Sequence, residues 1–240
     1  LLTDQIEFAD VVIINKSDLV DKNTLDLLEA MITKLNSRAK IIKTSHSKVP
    51  LKAVINTGLF DYDEAEQSAG WIEELNKPEH TPETEEYGIG SFAFRSKKPF
   101  NSERFWNYIQ NDFPHNVIRS KGLFWHDSRP NQAMTWGQAG GSLKADSAGV
   151  WWSSIPMKER SNYADFMSNQ EVIEKDWNKQ FGDRKNELVF IGQDLNKEKI
   201  VMELNNCLSS DNEIVNVNWE SGIEDSWPVQ RAIPPHKQDY

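Results

Sequence analysis

The tetrapeptide Asn15-Lys16-Ser17-Asp18 follows directly on the apolar run Val11-Val12-Ile13-Ile14. A short, β-branched run of that kind reads as a parallel strand buried on both faces. Ligands of open α/β sheets bind at the carboxyl ends of such strands. A carboxylate at Asp18 can accept hydrogen bonds from the N1–H and N2–H2 groups of a guanine edge. Adenine has no donor at those positions and would leave the acid unpaired, which is costly once water is excluded. The Asn15 amide can bond the same edge or tie neighbouring loops together, and the Lys16 stem can lie along the ring with its ammonium in solvent. The same residue types are common in ordinary strand-to-loop turns, so the tetrapeptide alone leaves both readings open.

The other chemistry-bearing residues are less organised. The five histidines are His46, His80, His115, His126 and His236, and no two are spaced i, i+3 or i+4. No helical metal pair follows, and no metal ligand is assigned. His80 lies among carboxylates, so a weak zinc or hard-cation site stands there against a solvated acidic segment. His126, after a run of large aromatics, is expected to be a capped surface side chain. Gly140-Gly141 has no helix behind it, so a strand bend or bulge is a better reading than an anion site. The one cysteine, Cys207, excludes a disulfide framework and is read as a small apolar side chain on an amphipathic helix, with a reducing cytoplasm as the default compartment. No Ser/His/Asp spacing suggests a nucleophilic triad, and no catalytic residue is assigned. Trp125, Trp136, Trp151, Trp152 and Trp177 are expected in the core, the alternative being an aromatic surface for a partner.

Two parts surround these residues. In the first, 1–60, a helix is predicted over 22–36 with Leu25, Leu28, Ile32 and Leu35 on one face and Asp21 or Asn23 as cap. A second strand is predicted over 39–43, then a helix opened by Pro50 and closed by Gly58. Strand, helix, strand, helix is the tail of a doubly wound α/β sheet. Residues 61–87 form an acidic linker: ten acids stand between Asp61 and Glu86 against one base, Lys77, out of a net charge of −10 for the chain. Trp71, Ile72 and Leu75 are expected to dock one helical turn there. The second part, 88–240, reads as strands around Phe92, over 117–125, 133–143, 150–153 and 187–192, with helices over 102–113, 171–178 and 197–208, the helix over 102–113 capped by Ser102. That order suggests an α+β domain, a sheet with helices on one face. No basic stripe favours nucleic acid, and no apolar run approaches the ~20 residues that cross a bilayer. The chain begins without Met, and its natural start is expected upstream.

The wider pattern resembles the CobW family of P-loop GTPases. Gln5 to Asp10 ahead of Val11–Val20 resembles that family's approach to its Asn-Lys-x-Asp motif. Gly90-Ser91-Phe92-Ala93-Phe94-Arg95, Lys98-Pro99-Phe100 and Arg104-Phe105-Trp106 resemble the opening of its C-terminal domain. Arg119 to Trp125, Trp136 to Gly141, Trp151-Trp152, Trp177, Gly182-Asp183-Arg184 and Glu187 to Leu195 continue it in order. The resemblance implies an α/β remnant of a P-loop GTPase sheet followed by an α+β C-terminal domain. It implies GTP or GDP as ligand, read by Asn15, Lys16 and Asp18, with the loop at Thr44-Ser45 placing a backbone N–H of Ser45 near the base. It further implies a GTP-binding metallochaperone, or a cobalamin-synthesis role, delivering zinc or a related metal to a metal-dependent client protein. No G-x-x-x-x-G-K-[ST] loop and no Cys-x-Cys-Cys motif stands in these 240 residues. The phosphate- and Mg2+-binding half, and any zinc site, are therefore expected before Leu1, and this chain by itself is not expected to hydrolyse GTP. The competing reading is an isolated protein-interaction module without nucleotide turnover.

Overall fold

The short apolar runs of the first part pair as their chemistry dictates. The computed structural model describes residues 2–61, 69–76, 86–219 and 222–232. Helix α1 (Leu2–Glu7) leads into β1 (Val11–Ile14), which pairs in parallel with β2 (Lys40–Lys43), Val11 facing Lys40 and Ile14 facing Lys43. Between them runs α2 (Lys22–Leu35), capped by Asp21, whose side chain accepts from the Thr24 N–H at 2.8 Å. The backbone hydrogen bond from Thr24 holds the Asp21 carboxyl below its usual range. Ile32 and Leu35 of α2 are buried, whereas Leu28 is exposed. β1 is not buried on both faces as its composition predicts: Ile13 is 43% exposed. β2 is its single strand neighbour among the described residues.

The helix expected from Pro50 to Gly58 is also corrected. A single 3-10 turn, Leu51–Ala53, forms instead, and Asn56 and Gly58 take left-handed backbone at φ 51° and 65°. Leu51, Val54 and Ile55 are exposed, so no packed face supports a helix too short to stand by itself. Helix α3 (Gly70–Asn76) carries Trp71, Ile72 and Leu75 partly buried, as expected of a docked turn. It also buries Glu74, which accepts from the Ser91 hydroxyl at 2.7 Å. His80 and His236 lie outside the described residues.

The remaining elements run β3 (Ile89–Ser96), α4 (Ser102–Asn111), β4 (Val117–Phe124), β5 (Gln132–Ala139), β6 (Ser142–Val150), α5 (Met157–Arg160), α6 (Ala164–Lys175), β7 (Asn186–Gln193), α7 (Lys197–Cys207) and α8 (Asp211–Val215). The strands make one sheet in the order β3-β7-β4-β5-β6. The expected strand over 133–143 is a hairpin instead: β5 and β6 are antiparallel, and Ala139 pairs with Ser142 across Gly140-Gly141. Gly140 has φ 55°, the left-handed conformation that tight turns need and glycine supplies without penalty. The cap of α4 is Asn101 rather than Ser102: its side chain accepts from Arg104 N–H at 3.0 Å. Residues 150–153, expected as a strand, close β6 at Val150 and then turn through a 3-10 helix, Trp152–Ser154.

The chain divides into two compact units. The first is Leu1–Phe92 with Asn116–Arg119 and Val189–Leu195; the second is Ala93–His115, Ser120–Leu188 and Asn196–Tyr240. In the second, Phe100 stacks on Phe105 at 3.9 Å, and Phe105 meets Phe124 at 5.4 Å and Trp136 at 5.8 Å. Trp125, Ala133, Trp151, Phe181 and Ile214 form a further buried cluster. Trp125, Trp136 and Trp151 are thus core side chains, while Trp152 and Trp177 are partly buried.

Candidate functional site

Because β1 and β2 are parallel, their carboxyl ends lie side by side, and the loops that leave them meet. Thr44 N–H donates to the Ile14 carbonyl at 2.9 Å, and Ser17 N–H donates to the Thr44 carbonyl at 3.0 Å. The Ser17 hydroxyl reaches the same carbonyl at 2.9 Å. The Asn15 amide then cross-ties the loops at both of its ends. Its Oδ1 accepts from Ser47 N–H at 3.0 Å, and its Nδ2 donates to Ser47 Oγ at 2.9 Å. One amide hydrogen and one carbonyl lone pair of Asn15 are left over by that count.

The backbone between these contacts is bent where the side chains must turn outward. Lys16 has φ 59°, and His46 and Ser47 have φ 51° and 54°. Non-glycine residues adopt that left-handed region at a cost of order 1–3 kcal/mol each, offset by the surrounding bonds. Here the offsets are the Asn15–Ser47 pair and the Thr44 hydroxyl, which donates to the Lys48 carbonyl at 3.0 Å. Asp18 sits in the 3-10 turn Ser17–Leu19 with its side chain exposed. Its carboxylate has no hydrogen-bond or ion-pair partner among the described residues. Lys16 is exposed as well, and Ser45 is half-buried.

The four residues singled out from sequence, Asn15, Lys16, Asp18 and Ser45, therefore fall on two neighbouring loops. Asp18 is a free acceptor on a fixed turn and Asn15 is a clamped amide. That donor and acceptor set fits a planar base with two adjacent N–H donors. Ser47 was not legible in the sequence: it stands 32 residues from its partner, inside a loop of ordinary turn residues. A cleft of about 710 Å3 in the first unit, lined by Lys22, Asp26, Glu29, Lys34, Glu73 and Glu74 among others, includes none of the four.

His126 is corrected from a surface position to a fully buried one. Its ring lies beside Phe124 and Trp227, and burial pushes its pKa down to about 3. Burial likewise raises the Cys207 thiol to about 11, in keeping with an inert core side chain. No group of three or more His, Cys, Asp or Glu arranged to hold a metal occurs among the described residues. No helix among them is long and apolar enough to cross a membrane.

Residues 89–208 match the cobalamin synthesis protein cobW C-terminal domain, and residues 1–43 match the CobW/HypB/UreG nucleotide-binding domain. The chain is 41% identical over 218 residues to Zinc-regulated GTPase metalloprotein activator 1 of Dictyostelium discoideum, covering 90% of this chain and 45% of that protein. It is 22% identical over 202 residues to zinc chaperone YjiA of Escherichia coli, covering 82% of this chain and 51% of that protein. A crystal structure of Zn(II)-bound YjiA GTPase from E. coli aligns with a TM-score of 0.42 at 18% identity, over 86% of this chain and 54% of that one. The chain spans about half the length of these two relatives.

Proposed function

The chain belongs to the CobW family, and from that premise we propose that it is part of a GTP-binding metallochaperone that delivers zinc or a related metal to client proteins. The observation that carries this reading is the Asn15–Asp18 segment at the carboxyl end of a parallel strand, clamped to the next loop through Ser47. In this reading Asp18 accepts from guanine N1–H and N2–H2, and Asn15 offers its remaining amide hydrogen and lone pair to the base edge. Lys16 lays its apolar stem along the ring. The loop at Ser45 supplies a backbone N–H to the base.

GTP, when bound, supplies a phosphoanhydride whose hydrolysis can drive a change of state. The metal is cargo, and no residue of this chain is assigned to hold it. Phosphate and Mg2+ contacts, turnover and the client belong to the whole protein in this proposal, as does the division of this chain into 1–60, 61–87 and 88–240. The relative named a zinc-regulated GTPase metalloprotein activator and the one named a zinc chaperone support the choice of metal.

A second reading is a protein-interaction module without nucleotide turnover. Equilibrium binding of GDP and ADP separates the two. Preference for GDP that disappears in Asp18→Asn supports the guanine site. Equal or undetectable binding of both at millimolar concentration leaves the interaction module.

A further inference from the structure

Residues 222–232 carry no helix or strand and lie outside the 89–208 span of the matched C-terminal domain. They are nevertheless held tightly, and mostly by side chains of 102–132. Arg129 grips Asp225 through Nε at 2.9 Å and Nη2 at 2.6 Å. It also donates to the carbonyls of Trp227 and Val229 at 3.0 and 2.6 Å. The Ser128 hydroxyl donates to Asp225 Oδ2 at 2.7 Å, and Ile223 N–H donates to the Ser128 carbonyl at 2.9 Å. Trp227 fills an aromatic slot, its ring 5.0 Å from Trp106, 5.4 Å from Phe124 and 5.1 Å from His126. Its indole N–H donates to the Ser102 carbonyl at 3.0 Å.

Under Trp227 lies His126, with no solvent exposure. Its Nδ1 is 2.7 Å from Ser128 Oγ. Because the Ser128 proton goes to Asp225, Nδ1 carries the imidazole hydrogen and donates to that oxygen. Nε2 is then a bare acceptor, and it has no hydrogen-bond partner among the described residues. A proton placed on Nε2 would be buried without an acceptor, in a slot sealed by Trp227 and flanked by Arg129. Such a group stays neutral or moves to water.

We propose that residues 222–232 form a releasable strap over this slot, and that uptake of a proton by His126 releases it. With the strap docked, burial dominates and lowers the His126 pKa to about 3; Asp225 opposes the shift, while Arg129 and Arg231 add to it. With the strap released, the imidazole returns to an ordinary value of about 6.5. The docked pKa is the lower one, so docking is at full strength above about pH 6.5 and weakens as pH falls, by about tenfold per unit. For Asp225, burial pushes the pKa up, but the hydrogen bonds from Arg129 and Ser128 outweigh it and hold the carboxyl below its usual range. Asp225 therefore stays charged throughout that window. Asp127, the neighbouring acid, is turned away onto Asn101, Ser102 and Ser209.

Hydrogen exchange of the whole chain, followed by mass spectrometry between pH 7.5 and 5.5 and corrected for intrinsic exchange, tests this directly. Protection of the 222–232 peptide should fall by about tenfold across that range, while the β7 peptide keeps its protection. In His126→Phe, which keeps a ring but cannot take the proton, strap protection should not change with pH. His126→Asn, which keeps an amide for Ser128, serves if the phenylalanine variant does not fold. A flat profile in the wild-type chain overturns the proposal whatever the variants do. So does a pH dependence that persists in a folded variant.

Discussion

Arg119 on β4 holds Glu7, the last residue of α1, in a two-point ion pair, Nε to Oε1 at 2.7 Å and Nη2 to Oε2 at 3.0 Å. Both side chains are buried, 6% and 1% exposed, and Asp4 adds a contact to Nη2 at 2.7 Å. A planar guanidinium matches a carboxylate in this way and an ammonium does not. Removing one partner leaves the other charge buried and uncompensated, at a cost of about 3–5 kcal/mol. Arg119→Met should therefore lower the denaturant midpoint by a free energy of that order. Adding Glu7→Gln should cost much less than Glu7→Gln does in the wild type, because the charge it removes is already unpaired. Strictly additive losses would show that the two residues are not coupled.

Asp18 is the free acceptor of the candidate site, so its chemistry can be inverted without disturbing the fold. Xanthine carries a C2 carbonyl where guanine carries an amine. An amide at position 18 would donate to that carbonyl and repel the guanine amine. Asp18→Asn should weaken GDP binding by about tenfold to a hundredfold, the worth of a hydrogen bond to a charged group, and improve the ratio of XDP to GDP binding. Competition binding with the two nucleotides reads this ratio. A parallel loss of both would mean that Asp18 supports the loop and does not read the base.

Ser47 contributes to the Asn15 clamp in two separable ways. Its hydroxyl accepts from Nδ2, and its backbone N–H donates to Oδ1. Ser47→Ala keeps the second bond and loses the first, an exposed hydrogen bond worth about 0.5–1.5 kcal/mol. Asn15→Ala loses both, together with the amide offered to the base. GDP affinity should therefore fall by a few-fold in Ser47→Ala and by about tenfold or more in Asn15→Ala, as read by calorimetry. Equal effects would place the whole role of Asn15 in the clamp.

How much of this was legible depended on the range of the cause. Val11–Ile14 and the Leu188-Val189-Phe190-Ile191 run inside the strand from Asn186 to Gln193 announce themselves through uninterrupted apolar residues, and Asp21 and the helix behind it through local capping and spacing. The Ala133–Leu143 stretch reads as one strand because both arms of a hairpin alternate alike, and the turn between them is only Gly140-Gly141. Ser210-x-x-Glu213 does form a capping box, but the apolar run behind it is just Ile214-Val215, too short to signal a helix. Asn15 and Lys16 could be placed on their loop, whereas Ser47 and Arg119 acquire their partners only through tertiary contacts 32 and 112 residues apart in sequence. His126 was misplaced because its cover, Trp227, comes about a hundred residues later. No local pattern reports such a contact.

The capping box also carries an acid-sensitive contribution to stability. Glu213 accepts from Arg104 at 2.8 and 2.9 Å and from Ser210 N–H at 2.7 Å. The Arg104 hydrogen bonds, with help from Ser210, hold the Glu213 pKa down at about 2, against 4.5 in the unfolded chain. The folded value is the lower, so this contribution is complete above about pH 4.5 and is lost as pH falls toward 2. Both side chains are more than a third exposed, 41% for Arg104 and 37% for Glu213, so solvent screening limits the pair to about 1 kcal/mol or less. Arg104→Gln should make stability fall less steeply between pH 4.5 and 2, measured by urea midpoints at each pH. Raising the salt concentration in the wild type should move it part of the way toward the variant. Unchanged slopes in Arg104→Gln would assign the acid sensitivity of this region to other carboxylates.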